Sequence, residues 1–130
     1  MPAAVSTANV LLVDDHDLMR RLLRRAIEVQ PGLKIVGEAA DGTRALEQAR
    51  ELEPDLVVLD LAMPELDGFE VAKALRKELP GCLILVFSAF EASRAEESAL
   101  AAGADRYLEK AKGFQAAAEA AAELAVSGRP

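Results

Sequence analysis

Two short runs in this chain are apolar at every position and end abruptly in carboxylates. Val10-Leu11-Leu12-Val13 runs into Asp14-Asp15, and Leu56-Val57-Val58-Leu59 runs into Asp60. A strand with one wet face alternates apolar and polar residues, whereas a strand apolar throughout is covered on both faces, as in a parallel sheet between helices. Stretches of helical periodicity separate these runs. In the first, Leu18, Leu22, Leu23, Ala26 and Ile27 recur at helical spacing, with Asp17 placed to cap the helix and Arg20, Arg21, Arg24 and Arg25 on the other side. Pro31-Gly32 stops that helix. A second strand over 33–39 and a second helix carrying Ala45, Leu46, Ala49 and Leu52 lead to Pro54 and the third strand. The loop Met63-Pro64-Glu65-Leu66-Asp67-Gly68 has turn chemistry, and a helix over about 69–79 follows it. A strand over 83–87 runs into Ser88, a helix over about 94–102 ends at Gly103, and a short strand around 106–108 delivers Lys110. An alanine-rich helix over about 114–126 closes the series. This alternation predicts an α/β fold, a doubly wound parallel sheet of five strands.

Size and charge narrow the function. The chain has 130 residues, 52% of them hydrophobic, enough for one core and too few for a second ordinary domain. Residues 1–8 read as a disordered N-terminus, 9–126 as the folded domain and 127–130 as a tail or linker stub. A net charge of -7 opposes attraction to nucleic-acid phosphates or anionic lipid, so direct nucleic-acid or membrane binding is not expected. Cys82, the one cysteine, allows no internal disulfide and fits a reducing compartment. The first nine residues carry no signal-peptide pattern, and a cytoplasmic location is expected.

The chemistry gathers at strand ends. In an open parallel sheet, ligands bind beyond the carboxyl ends of the strands, where strand order reverses. Asp14 and Asp15 close strand one, Asp60 strand three, Ser88 strand four and Lys110 strand five. Three crowded carboxylates repel one another, so either one is protonated or a cation sits among them. Oxygen ligands favour a hard cation, with Mg2+ the best fit. Lys110 and Ser88 suit phosphate oxygens, and Asp60 is the candidate nucleophile.

These residues resemble the receiver domain of two-component response regulators. The resemblance rests on Leu12-Val13-Asp14-Asp15-His16, the stretch from Leu56 through Asp60 and Met63-Pro64 to Asp67-Gly68, Ser88-Ala89, and Gly103 through Tyr107 to Lys110. It implies a flavodoxin-like (βα)5 fold with strand order 2-1-3-4-5. It also implies that Asp60 accepts a phosphoryl group from the phosphohistidine of a sensor histidine kinase or phosphotransfer protein, or from acetyl phosphate, in a transfer the receiver itself catalyses. By the same resemblance Asp15, Asp60 and the Ala62 carbonyl hold Mg2+, with Asp14 acting mainly through metal-bound water. Lys110 and Ser88 hold the phosphoryl oxygens. Ser88 then moves towards the phosphate and Tyr107 turns inward, reshaping the face formed by the fourth helix, fifth strand and fifth helix, with homodimerisation a possible consequence. The Asp-Asp-His opening is similar to receivers with a helix-turn-helix output domain, so the chain is either a fragment of such a regulator or free-standing, with its effector unknown.

Two features depart from the family pattern. Ala111 stands where many receivers have proline after a cis bond, which leaves the approach of Lys110 open. Ala62 and Phe90 flank the site by resemblance and offer no side-chain hydrogen bond to an attacking water, which implies slow self-dephosphorylation. Two other functions compete. A Mg2+-dependent phosphohydrolase with an aspartyl nucleophile would typically carry a second aspartate two residues on, where this chain has Ala62. A pseudo-receiver that only binds partners would have no need of the acidic site. The four arginines read as a solvated face or a dock for an acidic kinase, His16 as a helix-start or surface residue, and Cys82 as core.

Overall fold

The computed structural model describes residues 7–63 and 66–128. Five strands, β1 (Ala8–Val13), β2 (Leu33–Ala39), β3 (Leu56–Leu59), β4 (Leu83–Ser88) and β5 (Arg106–Glu109), alternate with five helices. These are α1 (Asp17–Glu28), α2 (Gly42–Leu52), α3 (Gly68–Glu78), α4 (Ala92–Ala102) and α5 (Phe114–Ser127), with one 3-10 turn at Lys110–Lys112. All pairings are parallel, in the order β2-β1-β3-β4-β5. The expected doubly wound sheet and its strand order are therefore observed.

The apolar runs are buried on both faces because alternate residues feed two separate cores. Leu11, Val13, Val57, Leu59, Ile84 and Val86 face α2, α3 and α4, where Ala45, Ala49, Val71, Leu75, Ala95 and Ala99 meet them. Val10, Leu12, Leu56, Val58, Leu85 and Phe87 face α1 and α5 on the other side. There the alanine-rich helix earns its composition: Ala117, Ala118, Ala120 and Ala121 are all buried, letting α5 pack close to sheet and α1. Cys82 is a small buried core residue.

Several boundaries shift. β1 opens at Ala8, inside the stretch read as a disordered N-terminus, because Ala8 N–H bonds the Gly32 carbonyl and pairs in the sheet. Ser127 belongs to α5 rather than to the tail, and its hydroxyl donates to the Glu123 carbonyl. Residues 1–6, 129 and 130, and Pro64-Glu65 in the loop after β3, lie outside the described residues. Asp17 does not cap α1. The N-cap is His16, which makes no side-chain capping bond, and Asp17 instead pairs with Arg20 at 2.8 Å. Leu18 and Leu22 are exposed, so only Leu23 and Ile27 carry the buried stripe of α1. Nor do the four arginines form one solvated face: Arg20 and Arg24 both bond Glu38 of β2, leaving Arg21 and Arg25 exposed. Among the described residues no helix is long and apolar enough to cross a membrane.

Candidate functional site

Strand order reverses between β1 and β3, which puts their carboxyl ends side by side. Asp60 N–H bonds the Val13 carbonyl at 2.9 Å, so Asp60 leaves β3 directly beside Asp14. One ligand atom from each of Asp14, Asp15, His16 and Asp60 lies within 4.8 Å of all the others. Lys110, just past β5, reaches across the sheet end with Nζ 2.9 Å from Asp14 Oδ2 and 3.4 Å from Asp60 Oδ2. Among the described residues no peptide bond is cis, so Lys110 makes this approach along an all-trans backbone.

Asp14 and Asp60 are almost fully buried, at 4% and 2% exposure. Asp14 spends both oxygens within the protein: Oδ1 accepts from His16 N–H at 2.9 Å and Oδ2 from Lys110. Its helix-start contact and its place in the acidic cluster therefore coexist. Asp60 Oδ1 accepts a longer bond from Ala62 N–H at 3.3 Å, which folds the loop after β3 back over the carboxylate. Asp60 Oδ2 and Asp15 Oδ1 are buried without a hydrogen-bond partner. Burial pushes the Asp60 pKa up, the Lys110 charge opposes this, and the Asp14 charge adds to the rise; the balance is upward. For Lys110, burial works against the charge but the bond to Asp14 and the charges of Asp60 and Asp14 outweigh it, so its pKa is raised. The site thus holds a charged ammonium and a carboxylate with an unsatisfied oxygen. Two buried carboxylate oxygens without a hydrogen bond, Asp60 Oδ2 facing Lys110 at 3.4 Å and Asp15 Oδ1 facing His16 at 3.1 Å, sit in a cluster of hard donors that fits Mg2+.

Gly68 sets the approach of α3. Its N–H bonds the Leu61 carbonyl at 3.0 Å, and a Cβ there would stand 2.4 Å from the Asp60 carbonyl oxygen and 2.5 Å from Leu61 Cα. Only glycine allows the helix start to lie against the phosphoacceptor candidate. Asp67 caps α3 by accepting from Glu70 N–H at 3.0 Å.

Ser88 is fully buried at the end of β4, and its Oγ accepts from Phe90 N–H at 3.1 Å rather than engaging the carboxylates. Tyr107 is buried with its hydroxyl donating to the Phe90 carbonyl at 2.6 Å. Burial raises the Tyr107 pKa, the Ser88 hydroxyl bond lowers it, and the charges of Glu109, Glu96 and Asp60 raise it further. Ser88, Phe90 and Tyr107 therefore form one connected group that also feels Asp60.

Sequence reading missed three supports. Arg20 donates to the Asp14 carbonyl at 2.6 Å and to Glu38, tying the acidic corner to β2. Glu109 accepts from Ala92 N–H at 2.5 Å, giving α4 the N-terminal acceptor its own Glu91 does not supply. Arg76 donates to the carbonyls of Pro80, Cys82 and Gly103 and to Asp105, joining α3 to the loops before β4 and β5. These contacts span 4 to 29 positions in the chain, and most of them leave no local pattern.

The receiver-domain model of response regulators matches residues 10–122, and the chain belongs to that family, the receiver modules of two-component systems. The response regulator protein VraR of Staphylococcus aureus is 38% identical over 104 residues, which cover 80% of this chain and 50% of VraR. The chain thus spans about half the length of the curated relatives it matches. A two-component response regulator of the LuxR family from Aurantimonas sp. SI85-9A1 superposes with a TM-score of 0.87 at 39% identity, covering 95% of this chain and 88% of that one. The response regulator domain of Thermotoga maritima CheB gives 0.82 at 35% identity, with 92% and 94% covered.

Proposed function

We propose that this receiver is a phosphorylation-controlled switch with Asp60 as its phosphoacceptor. The observation that carries the reading is Asp60 itself, buried at a strand end with an oxygen unsatisfied and Lys110 Nζ 3.4 Å away. An Asp60 carboxylate oxygen attacks phosphorus, the O–P bond forms, and the P–N bond of a kinase phosphohistidine or the P–O bond of acetyl phosphate breaks. The imidazole or acetate departs with the electron pair. Asp15, Asp60 and the Ala62 carbonyl would hold Mg2+, with Asp14 acting mainly through metal-bound water, and the ion would supply positive charge towards the phosphoryl oxygens. Lys110, anchored on Asp14, supplies a fixed positive charge to a phosphoryl oxygen. The Ser88 hydroxyl donates to another, exchanging its place in the turn with Phe90 for the phosphate.

That exchange is the switch. Tyr107 occupies the inward position with its hydroxyl on the Phe90 carbonyl. A phosphoryl group that draws Ser88 forward favours this packing over one with Tyr107 outward, shifting the population at α4, β5 and α5. An effector domain or protein reads that face, and a sensor histidine kinase or phosphotransfer protein supplies the phosphoryl group. Incubation with acetyl phosphate and Mg2+, followed by intact-protein mass spectrometry, tests the reading. One slowly decaying phosphoryl group on Asp60 supports it, sustained turnover of acetyl phosphate indicates a hydrolase, and absence of labelling indicates a binding module.

A further inference from the structure

His16, the one histidine of the chain, has no part in the phosphotransfer reading. Its Nδ1 stands 3.1 Å from Asp15 Oδ1 and 3.4 Å from Asp14 Oδ1. Atoms bound to one octahedral cation at about 2.1 Å are about 3.0 Å apart when adjacent and about 4.2 Å apart when opposite. The His16 Nδ1 distances to Asp15 and Asp14 fit adjacent positions on such an ion, while the cluster as a whole, spread over 4.8 Å, is slightly wider than opposite positions and would close by a few tenths of an ångström on binding. Independently, Asp60 Oδ2, on a side chain 2% exposed, turns into the cluster without a hydrogen bond, its one close cation being Lys110 Nζ at 3.4 Å. Asp14 has both oxygens committed, to His16 N–H and to Lys110, which leaves Asp15, His16 and Asp60 as the available nitrogen and oxygen donors. The backbone reason is simple: His16 is the N-cap of α1 in extended conformation, so its ring rises beside the preceding aspartates instead of following the helix surface. At 65% exposure the ring is open to an ion arriving from solvent.

We propose that His16 Nδ1 is a metal ligand at this site, which makes the site take borderline transition ions such as Ni2+ and Zn2+ in preference to Mg2+. The inference rests on the metal-site reading above and adds a nitrogen donor to it. Mg2+ keeps oxygen ligands and water, so it gains little from the imidazole, whereas Ni2+ and Zn2+ bind imidazole well. The same pocket then discriminates between cations, and a transition ion held there competes directly for the carboxylates that phosphotransfer uses.

The experiment uses the untagged chain and the metal salts alone as probes. Calorimetric titrations of wild type, His16→Ala, His16→Asn and Asp60→Asn are run with MgCl2, NiCl2 and ZnCl2. His16→Asn retains a good N-cap while removing the imidazole. Both His16 variants are expected to lose about tenfold or more in Ni2+ and Zn2+ affinity while Mg2+ affinity stays within about twofold. In protein with 15N-labelled histidine, Zn2+ should displace the Nδ1 resonance, and Mg2+ should leave it in place. Equal Ni2+ affinity in wild type and both variants, or Zn2+ binding that moves Nε2 alone, overturns the proposal. The two readings fail separately: Mg2+ binding that is lost in Asp60→Asn upholds the cation site even if His16 makes no difference. A wild type that takes up no divalent ion overturns both.

Discussion

Replacing the proposed phosphoacceptor should stabilise the metal-free protein at neutral pH. Asp60 is 2% exposed, has an oxygen without a donor, and stands beside Asp14. Asparagine preserves the shape and can keep the Ala62 N–H bond on Oδ1 while discarding the charge. A buried polar group left unsatisfied costs about 1–3 kcal/mol. Against this relief stands the loss of a 3.4 Å ion pair with Lys110, which retains Asp14 at 2.9 Å. Because burial and Asp14 together outweigh Lys110 at Asp60, relief is the larger effect, and the net gain is about 1 kcal/mol. For a domain of this size that is about 4 °C in Tm. The pH dependence follows from the raised pKa: the unfolded chain ionises Asp60 near the ordinary 3.8, the folded chain only at higher pH. The contribution of Asp60 to stability is therefore fully present below 3.8 and is lost as pH rises through its folded-state pKa, so the advantage of Asp60→Asn appears over that interval and vanishes in acid. Urea unfolding followed by circular dichroism, in chelator across an acid-to-neutral series, measures it. Saturating Mg2+ should stabilise wild type and close the gap. A variant less stable than wild type at neutral pH, or a gap independent of pH, would refute the reasoning.

Three further outcomes are expected. Gly68→Ala places a methyl 2.4 Å from the Asp60 carbonyl oxygen, so the loop after β3 must shift. It should cost about 2 kcal/mol in urea unfolding and slow acetyl phosphate labelling of Asp60. Arg76→Ala removes donors from three backbone carbonyls and from Asp105, and should cost about 2–3 kcal/mol by the same measurement with labelling rate little changed. The double variant Ala62→Asn, Phe90→Glu gives two exposed positions a hydrogen-bonding group for an attacking water, and its phosphoryl half-life should be shorter than that of wild type by about tenfold.

The topology was legible because apolar runs such as Leu56–Leu59 have one physical solution, burial on both faces. The site was legible for a related reason: Asp14, Asp15, Asp60, Ser88 and Lys110 are polar groups placed immediately after such runs, where a parallel sheet collects them. The supporting contacts were not. Leu18 and Leu22 carry the same periodicity as Leu23 and Ile27, yet α1 is rotated so that only the latter pair is buried. Asp17 has cap chemistry, but the helix begins at Asp17 itself with His16 as its N-cap, one residue earlier than a cap at Asp17 would require, and the Asp17 carboxylate pairs with Arg20 instead. Arg20, Arg76 and Glu109 act across elements, and their partners are set by packing rather than by spacing along the chain.

Chemical trapping tests the central claim most directly. After exposure to acetyl phosphate and Mg2+, borohydride reduces an aspartyl phosphate to homoserine, and peptide mass spectrometry reads the position. The account predicts conversion at residue 60 alone; conversion at Asp14 or Asp15, or none anywhere in a protein that binds Mg2+, would contradict it.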